Sequence, residues 1–177
     1  MIAVERPAIA PIDRPAIVPI DRPTIAPIDR PAIAPIDRSP TIAIDTSALI
    51  AIAFAEPERD QFRDALIQAR SARISTISVV EARMVAYGRR GPRAVVVLEN
   101  ILRLPVFLVT PPGPEDMDAA FDAFVAFGKG SGHPAALNFG DIFAYALAKT
   151  RNLPLLFKGN DFSETDIPSV IPRQPAH

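Results

Sequence analysis

The run Thr41-Ile42-Ala43-Ile44-Asp45-Thr46-Ser47-Ala48-Leu49-Ile50 decides how the rest of the chain is read. Thr41 to Ile44 suit a short apolar strand, Asp45 interrupts it, and Thr46-Ser47-Ala48 opens a helix over Ser47 to Phe54. The same alternation continues downstream. Helices are expected over Pro57 to Arg70, Ser78 to Tyr87, Arg93 to Leu102, Pro114 to Phe127 and Phe139 to Thr150. Strands are expected at Arg73 to Thr76, Pro105 to Thr110 and Pro154 to Phe157, with a short fifth at Asp166 to Val170. Pro57 suits a first helical turn, Ser78 can cap a helix ending at Gly88, and Gly128 to His133 reads as a loop. Strands separated by helices leave no room for hairpins. They imply an α/β fold with a parallel, doubly wound sheet of four to five strands.

Upstream of the run the material is different. Residues 6 to 37 repeat the unit Arg-Pro-Ala-Ile-Ala-Pro-Ile-Asp four times, and nine of the 20 prolines precede Thr41. Proline at every fourth position excludes a continuous helix and a central strand. Ile9 and Ile12, like Ile17 and Ile20, would point to opposite faces of a strand and so give it no single face to bury. Residues 1–40 are therefore expected to be an extended, polyproline-like or disordered extension. It looks like duplicated copies of the first strand, because Pro23-Thr24-Ile25-Ala26-Pro27-Ile28-Asp29 differs from Pro40-Thr41-Ile42-Ala43-Ile44-Asp45 mainly by an inserted proline. Only Asp45 is followed by a helix start, so Asp13, Asp21, Asp29 and Asp37 are poor catalytic candidates. The folded domain is expected at 41–172 and a short tail at 173–177.

At 177 residues and 49% apolar content the chain can bury one sizeable core. A net charge of -1 argues against a polyanion grip by total charge, though not against a local basic patch. The absence of cysteine excludes disulfides, thiolate metal sites and cysteine nucleophiles, and two histidines leave little for a zinc site. No stretch approaches the roughly 18 apolar residues of a membrane span, and the start lacks the order of a signal peptide. The expectation is a soluble, cytoplasmic protein.

Four acids stand in apolar settings: Asp45, Glu81 in Ser78-Val79-Val80-Glu81-Ala82, Asp141 in Asn138-Phe139-Gly140-Asp141, and Asp161 in Lys158-Gly159-Asn160-Asp161-Phe162. Acids seldom occupy such settings uncompensated. Ligands of parallel α/β sheets bind at the carboxyl ends of strands, and these four fall near those ends. Converging carboxylates repel until one is protonated or a cation sits among them, and oxygen-only ligands favour Mg²⁺ or Mn²⁺. That chemistry cleaves phosphodiesters without cysteine or histidine. Each acid also has a plainer reading: Asp45 and Asp141 as helix caps, Glu81 as a helix acid, Asp161 as turn chemistry. Asp118, Asp122, Glu164 and Asp166 read as solvated acids and His133 as incidental. Arg83, Arg89, Arg90 and Arg93 form the best basic cluster, suited either to RNA phosphates or to a solubilising face.

Taken together, Ile-Asp-Thr-Ser-Ala-Leu, Ser-Val-Val-Glu, Asn-Phe-Gly-Asp-Ile-Phe-Ala-Tyr-Ala-Leu-Ala and Leu-Pro-Leu-Leu-Phe-Lys-Gly-Asn-Asp-Phe resemble a PIN domain, most closely the VapC-type toxin ribonucleases of toxin–antitoxin systems. The resemblance spans about residues 41 to 171. It implies a three-layer α/β/α fold and Mg²⁺-dependent RNA cleavage. It assigns metal binding and catalysis to Asp45, Glu81, Asp141 and Asp161, with Thr46 or Ser47 as a hydroxyl partner. It also implies a homodimer and a cognate VapB-like antitoxin. A PIN nuclease of housekeeping RNA processing and a catalytically silent binding module are the competing readings.

Overall fold

The computed structural model describes residues 39–172. The extension expected at 1–40, apart from Ser39 and Pro40, and the tail at 173–177 lie outside the described residues. In chain order the elements are β1 (Thr41–Ile44), α1 (Thr46–Ala53), α2 (Arg59–Gln68), β2 (Ser71–Ser75), α3 (Thr76–Arg90) and α4 (Pro92–Leu102). They continue with β3 (Phe107–Thr110), α5 (Pro114–Phe127), α6 (Phe139–Thr150), β4 (Leu155–Leu156) and a 3₁₀ turn at Asp161–Glu164.

The four strands form one sheet in the order β3-β2-β1-β4, every pairing parallel. β1 is central, and its alternation builds two cores. Ile42 and Ile44 pack with Leu49, Phe62, Ile74 and Leu98 beneath α1 to α4, whereas Ala43 faces Leu137, Phe143, Leu147 and Phe162 beneath α5 and α6. β4 divides in the same way, with Leu155 on the second side and Leu156 on the first. This is the expected three-layer α/β/α arrangement.

Several expected boundaries shift for identifiable reasons. The fifth strand at Asp166 to Val170 is only a single bridge, Leu155 to Ser169, because Pro168 has no N–H to extend a ladder. Helix α3 starts at Thr76 with the Ser75 hydroxyl accepting from the Ile77 N–H at 3.2 Å, not at a Ser78 cap. It also runs through Gly88 to Arg90 and stops at Gly91, whose φ of 72° suits a glycine. α2 begins at Arg59, two residues after the expected Pro57.

Helix α5 contradicts its sequence pattern more instructively. Helical spacing puts Met117, Ala120, Phe121, Phe124 and Val125 on the apolar side expected to face the core, yet of these only Ala120 is buried and the four large side chains are 51% to 66% exposed. The buried residues are Asp116, Ala120 and Ala123, and the two alanines lie in one core cluster with Ala144, Leu147 and Ala148 of α6. Small residues let the two helices approach closely, and the larger side chains are left outside. Buried Asp116 is matched by Arg151, whose Nη1 donates to Oδ1 at 2.5 Å and Nη2 to Oδ2 at 3.1 Å, with Thr150 adding a bond at 2.6 Å.

Candidate active site

β1 delivers Asp45 to the carboxyl edge of the sheet. The Asp45 N–H donates to the Leu156 carbonyl at 2.9 Å, fixing the residue between the two central strands. As N-cap of α1, its Oδ2 accepts from the Ser47 N–H at 2.8 Å and the Ser47 hydroxyl at 2.5 Å. The carboxyl is 2% exposed, and its Oδ1 has no hydrogen-bond partner. Burial pushes its pKa up; the Glu81 charge adds to the rise, and the Ser47 bonds oppose it.

Glu81 comes from the second turn of α3, half-buried, with Oε2 accepting from the Thr46 hydroxyl at 2.6 Å. The same hydroxyl lies 3.1 Å from the Ser78 carbonyl. Asp141 sits in the first turn of α6 and takes part in a reciprocal cap. Asn138 Oδ1 accepts from the N–H groups of Gly140 and Asp141 at 2.7 and 3.1 Å, while Asp141 Oδ2 accepts from the Asn138 N–H at 2.8 Å. Burial first, then the charges of Asp45, Glu81 and Asp161, lift Asp141 to about 7 against the pull of that N–H.

Three of the four predicted acids, Asp45, Glu81 and Asp141, therefore line one cavity of about 430 Å³ together with Thr46 and Ser47. Asp161 is exposed at the start of the 3₁₀ turn and outside that lining, although its charge contributes to the rise at Asp141. Among the described residues no three acids or histidines close on a common point as a finished metal cage. The donor set still fits a hard divalent cation: it is all carboxylate oxygen, one oxygen is buried without a partner, and burial with neighbouring charge raises the proton affinity of Asp45 and Asp141.

Of the four predicted arginines only Arg89 lines this cavity. Arg83 pairs with Glu99 at 2.6 Å on the outer face of α3 and α4. Arg90 stacks 4.3 Å from the Phe54 ring centroid and lines, with Arg93, a different hollow. Sequence reasoning missed Glu56 and Lys158, which also line the cavity, and the role of Gly140. A Cβ at residue 140 would lie 2.1 Å from Glu81 Oε2, so only glycine lets α6 stand this close to the Glu81 carboxylate. The clue was present in the Asn-Phe-Gly-Asp motif, but a glycine there reads equally well as part of a helix start.

With this geometry in hand, comparison with known proteins is specific. The sequence model of the PIN domain matches residues 42–168, and the chain belongs to the PIN domain family. It is 40% identical over 119 residues to Ribonuclease VapC28 of Mycobacterium tuberculosis (strain ATCC 25618 / H37Rv), covering 67% of this chain and 90% of that protein. It is 36% identical over 116 residues to Ribonuclease VapC42 of the same strain, covering 66% and 88%. The crystal structure of Mycobacterium tuberculosis VapC20, titled a Sarcin-Ricin loop cleaving toxin, superposes with a TM-score of 0.62 at 19% identity, covering 74% of this chain and 99% of that one. FitAcB from Neisseria gonorrhoeae superposes with a TM-score of 0.53 at 19% identity, covering 72% and 95%. The two structural matches establish the fold.

Proposed function

We propose that this protein is a metal-dependent endoribonuclease, the toxin of a toxin–antitoxin pair, hydrolysing RNA phosphodiesters at the cavity of Asp45, Glu81 and Asp141. The observation that carries the reading is the cavity itself: three carboxylates share it, one with an unpartnered buried oxygen and one lifted to about 7. The names of the VapC ribonucleases at 36–40% identity support it.

Asp45, Glu81, Asp141 and, from the outer edge, Asp161 would hold Mg²⁺ or Mn²⁺. A bound ion of this kind supplies Lewis acidity to a phosphodiester and lowers the pKa of a water. The chain's own residues set the carboxylates in place. Ser47 locks one oxygen of Asp45 and leaves the other without a protein partner; Thr46 holds Glu81; the Asn138 N–H holds Asp141. Arg89 supplies a cation on the wall beside them.

The same reading carries a VapB-like antitoxin, a homodimer and a cytoplasmic location. Among the described residues no helix is long and apolar enough to cross a membrane. Apolar surface supports protein partners: the exposed α5 stripe, and a hollow of about 560 Å³ lined by Ile52, Leu66, Ile67, Ile101 and Leu104.

The test is cleavage of a total small-RNA pool by the full chain, wild type beside Asp141→Asn, with Mg²⁺ or Mn²⁺ and again with EDTA. Discrete metal-dependent products that vanish in the variant are expected. Intact RNA with folded, antitoxin-free protein in both metals overturns the enzyme in favour of a binding module. A neighbouring reading frame with a DNA-binding N-terminus separates the toxin from a housekeeping processing enzyme.

A further inference from the structure

Among the described residues lining the acidic cavity, the cations are Arg89 and Lys158, and both are engaged by acids of the α1–α2 connection. Lys158 Nζ stands 2.8 Å from Glu56 Oε2 and 2.9 Å from Glu58 Oε2, while Arg89 Nη1 reaches Glu56 Oε1 at 3.4 Å. The backbone of Lys158 is fixed independently. Its N–H donates at 2.9 Å to Ser47 Oγ, which in turn donates to Asp45 Oδ2. The side chain starts from an anchor two hydrogen bonds from Asp45 and is about one-third exposed.

We propose that Lys158 is a substrate-positioning residue: its ammonium grips a phosphate oxygen of the RNA strand at the cavity mouth, and Glu56 and Glu58 hold it in reserve until the strand arrives. The inference rests on the ribonuclease reading and adds to it a named RNA contact and an internal competitor for that contact. An anionic strand approaching three carboxylates is repelled, so a cation on the lining is what draws it in. Lys158 shares the cavity lining with Asp45, Glu81 and Asp141, and its ion pairs with Glu56 and Glu58 commit the ammonium to carboxylates outside that trio. A partly exposed ion pair is weak in water, so a phosphate oxygen can replace Glu58 at little cost. The glutamates thus keep the lysine away from the acids without withholding it from RNA.

The experiment measures binding of a labelled mixed-sequence single-stranded RNA by the full chain in the Asp141→Asn background with Mg²⁺, as a function of salt. Cleavage kinetics on the active chain run in parallel. Lys158→Gln is expected to weaken binding roughly tenfold and to reduce the salt slope by about 0.7, the share of one phosphate contact on a single strand. It is expected to raise KM far more than it lowers kcat. Lys158→Arg restores most of the affinity, and Glu58→Gln tightens binding about threefold because the competitor is gone.

Unchanged affinity and slope in Lys158→Gln, with the parent still cleaving RNA, overturn the inference and leave the ribonuclease reading standing. Weaker binding in both Lys158→Gln and Glu58→Gln overturns the competitor role, since the glutamate then orients the lysine. Failure of the parent to bind or cleave RNA removes the ribonuclease reading itself. Thermal melts of each variant separate these outcomes from loss of fold.

Discussion

Gly140→Ala isolates the placement of one carboxylate from everything else in the site. The added methyl would stand 2.1 Å from Glu81 Oε2 and 2.3 Å from its Cδ, so the carboxylate must withdraw by roughly 1.3 Å to reach ordinary contact at 3.4 Å. The obstructing group is the far end of a flexible side chain, so the helices need not move. The withdrawal breaks the 2.6 Å bond from Thr46, a charge-assisted bond of about 1.5–3 kcal/mol. Alanine in place of glycine within α6 returns up to about 1 kcal/mol of helix propensity. A net loss of about 1 kcal/mol follows, or a fall in Tm of about 3 °C in a domain of this size. Activity responds far more, because a displacement of about 1 Å in a positioned group costs on the order of 100-fold. The assay pairs initial rates of RNA cleavage with a thermal melt. Adding Glu81→Asp, which shortens the crowded side chain, is expected to recover part of the rate. Wild-type cleavage by Gly140→Ala, with the melt confirming a folded chain, would refute the claim that the site needs Glu81 where the structure puts it.

Three further outcomes are expected. Asp141 is lifted from 3.8 to about 7, so the folded state holds its proton more tightly than the unfolded chain does, and stability falls as pH rises between those values. In EDTA, Asp141→Asn should therefore melt above wild type at pH 8, by on the order of 3 kcal/mol, and match it near pH 4; a gap independent of pH would contradict the burial and charge argument. Asp116 runs the other way: burial would raise its carboxyl, but bonds from Arg151, Thr150 and the Gly113 N–H hold it at about 2. Its contribution is present above 3.8 and lost as pH falls towards 2. Asp116→Ala should cost about 2–3 kcal/mol at neutral pH, read by urea unfolding, with the difference shrinking in acid. Phe121 is 66% exposed on α5, so if the proposed homodimer uses this face, Phe121→Asp should leave the chain folded while shifting sedimentation from dimer to monomer. A single species of unchanged mass in both proteins would remove α5 from the proposed dimer contact.

The order of strands and helices was legible because Ile42, Ala43 and Ile44, then Leu155 and Leu156, are short apolar runs that only a two-sided parallel sheet can bury. The acids were legible for a related reason, since Asp45 and Asp141 stand where apolar residues surround them. What sequence could not show was direction and distance. On α5 the large side chains form the more conspicuous stripe, yet the small ones pack, because the approach of α6 is set by Ala120 and Ala123. The four arginines clustered in sequence are scattered by α3, α4 and the Gly91 turn, and only Arg89 reaches the cavity. Lys158 was unreadable as a site residue because its link to Ser47 spans 111 residues. The start of α3 was misplaced because β-branched Thr76 read as the last residue of the strand from Arg73, and Ser78 offered a cap further on.

The pairing of β1 with β4 has a consequence for how the protein is made. The first strand of the folded domain is completed by the last, and the backbone that steadies Asp45 through Ser47 belongs to Lys158, near the end of the chain. Asp141 arrives only shortly before it. During synthesis from the N-terminus, β1 therefore waits with one edge unpaired while nearly the whole domain emerges. The acidic cavity is therefore completed only once Asp141, β4 and Lys158 have been made, after the other three strands of the sheet.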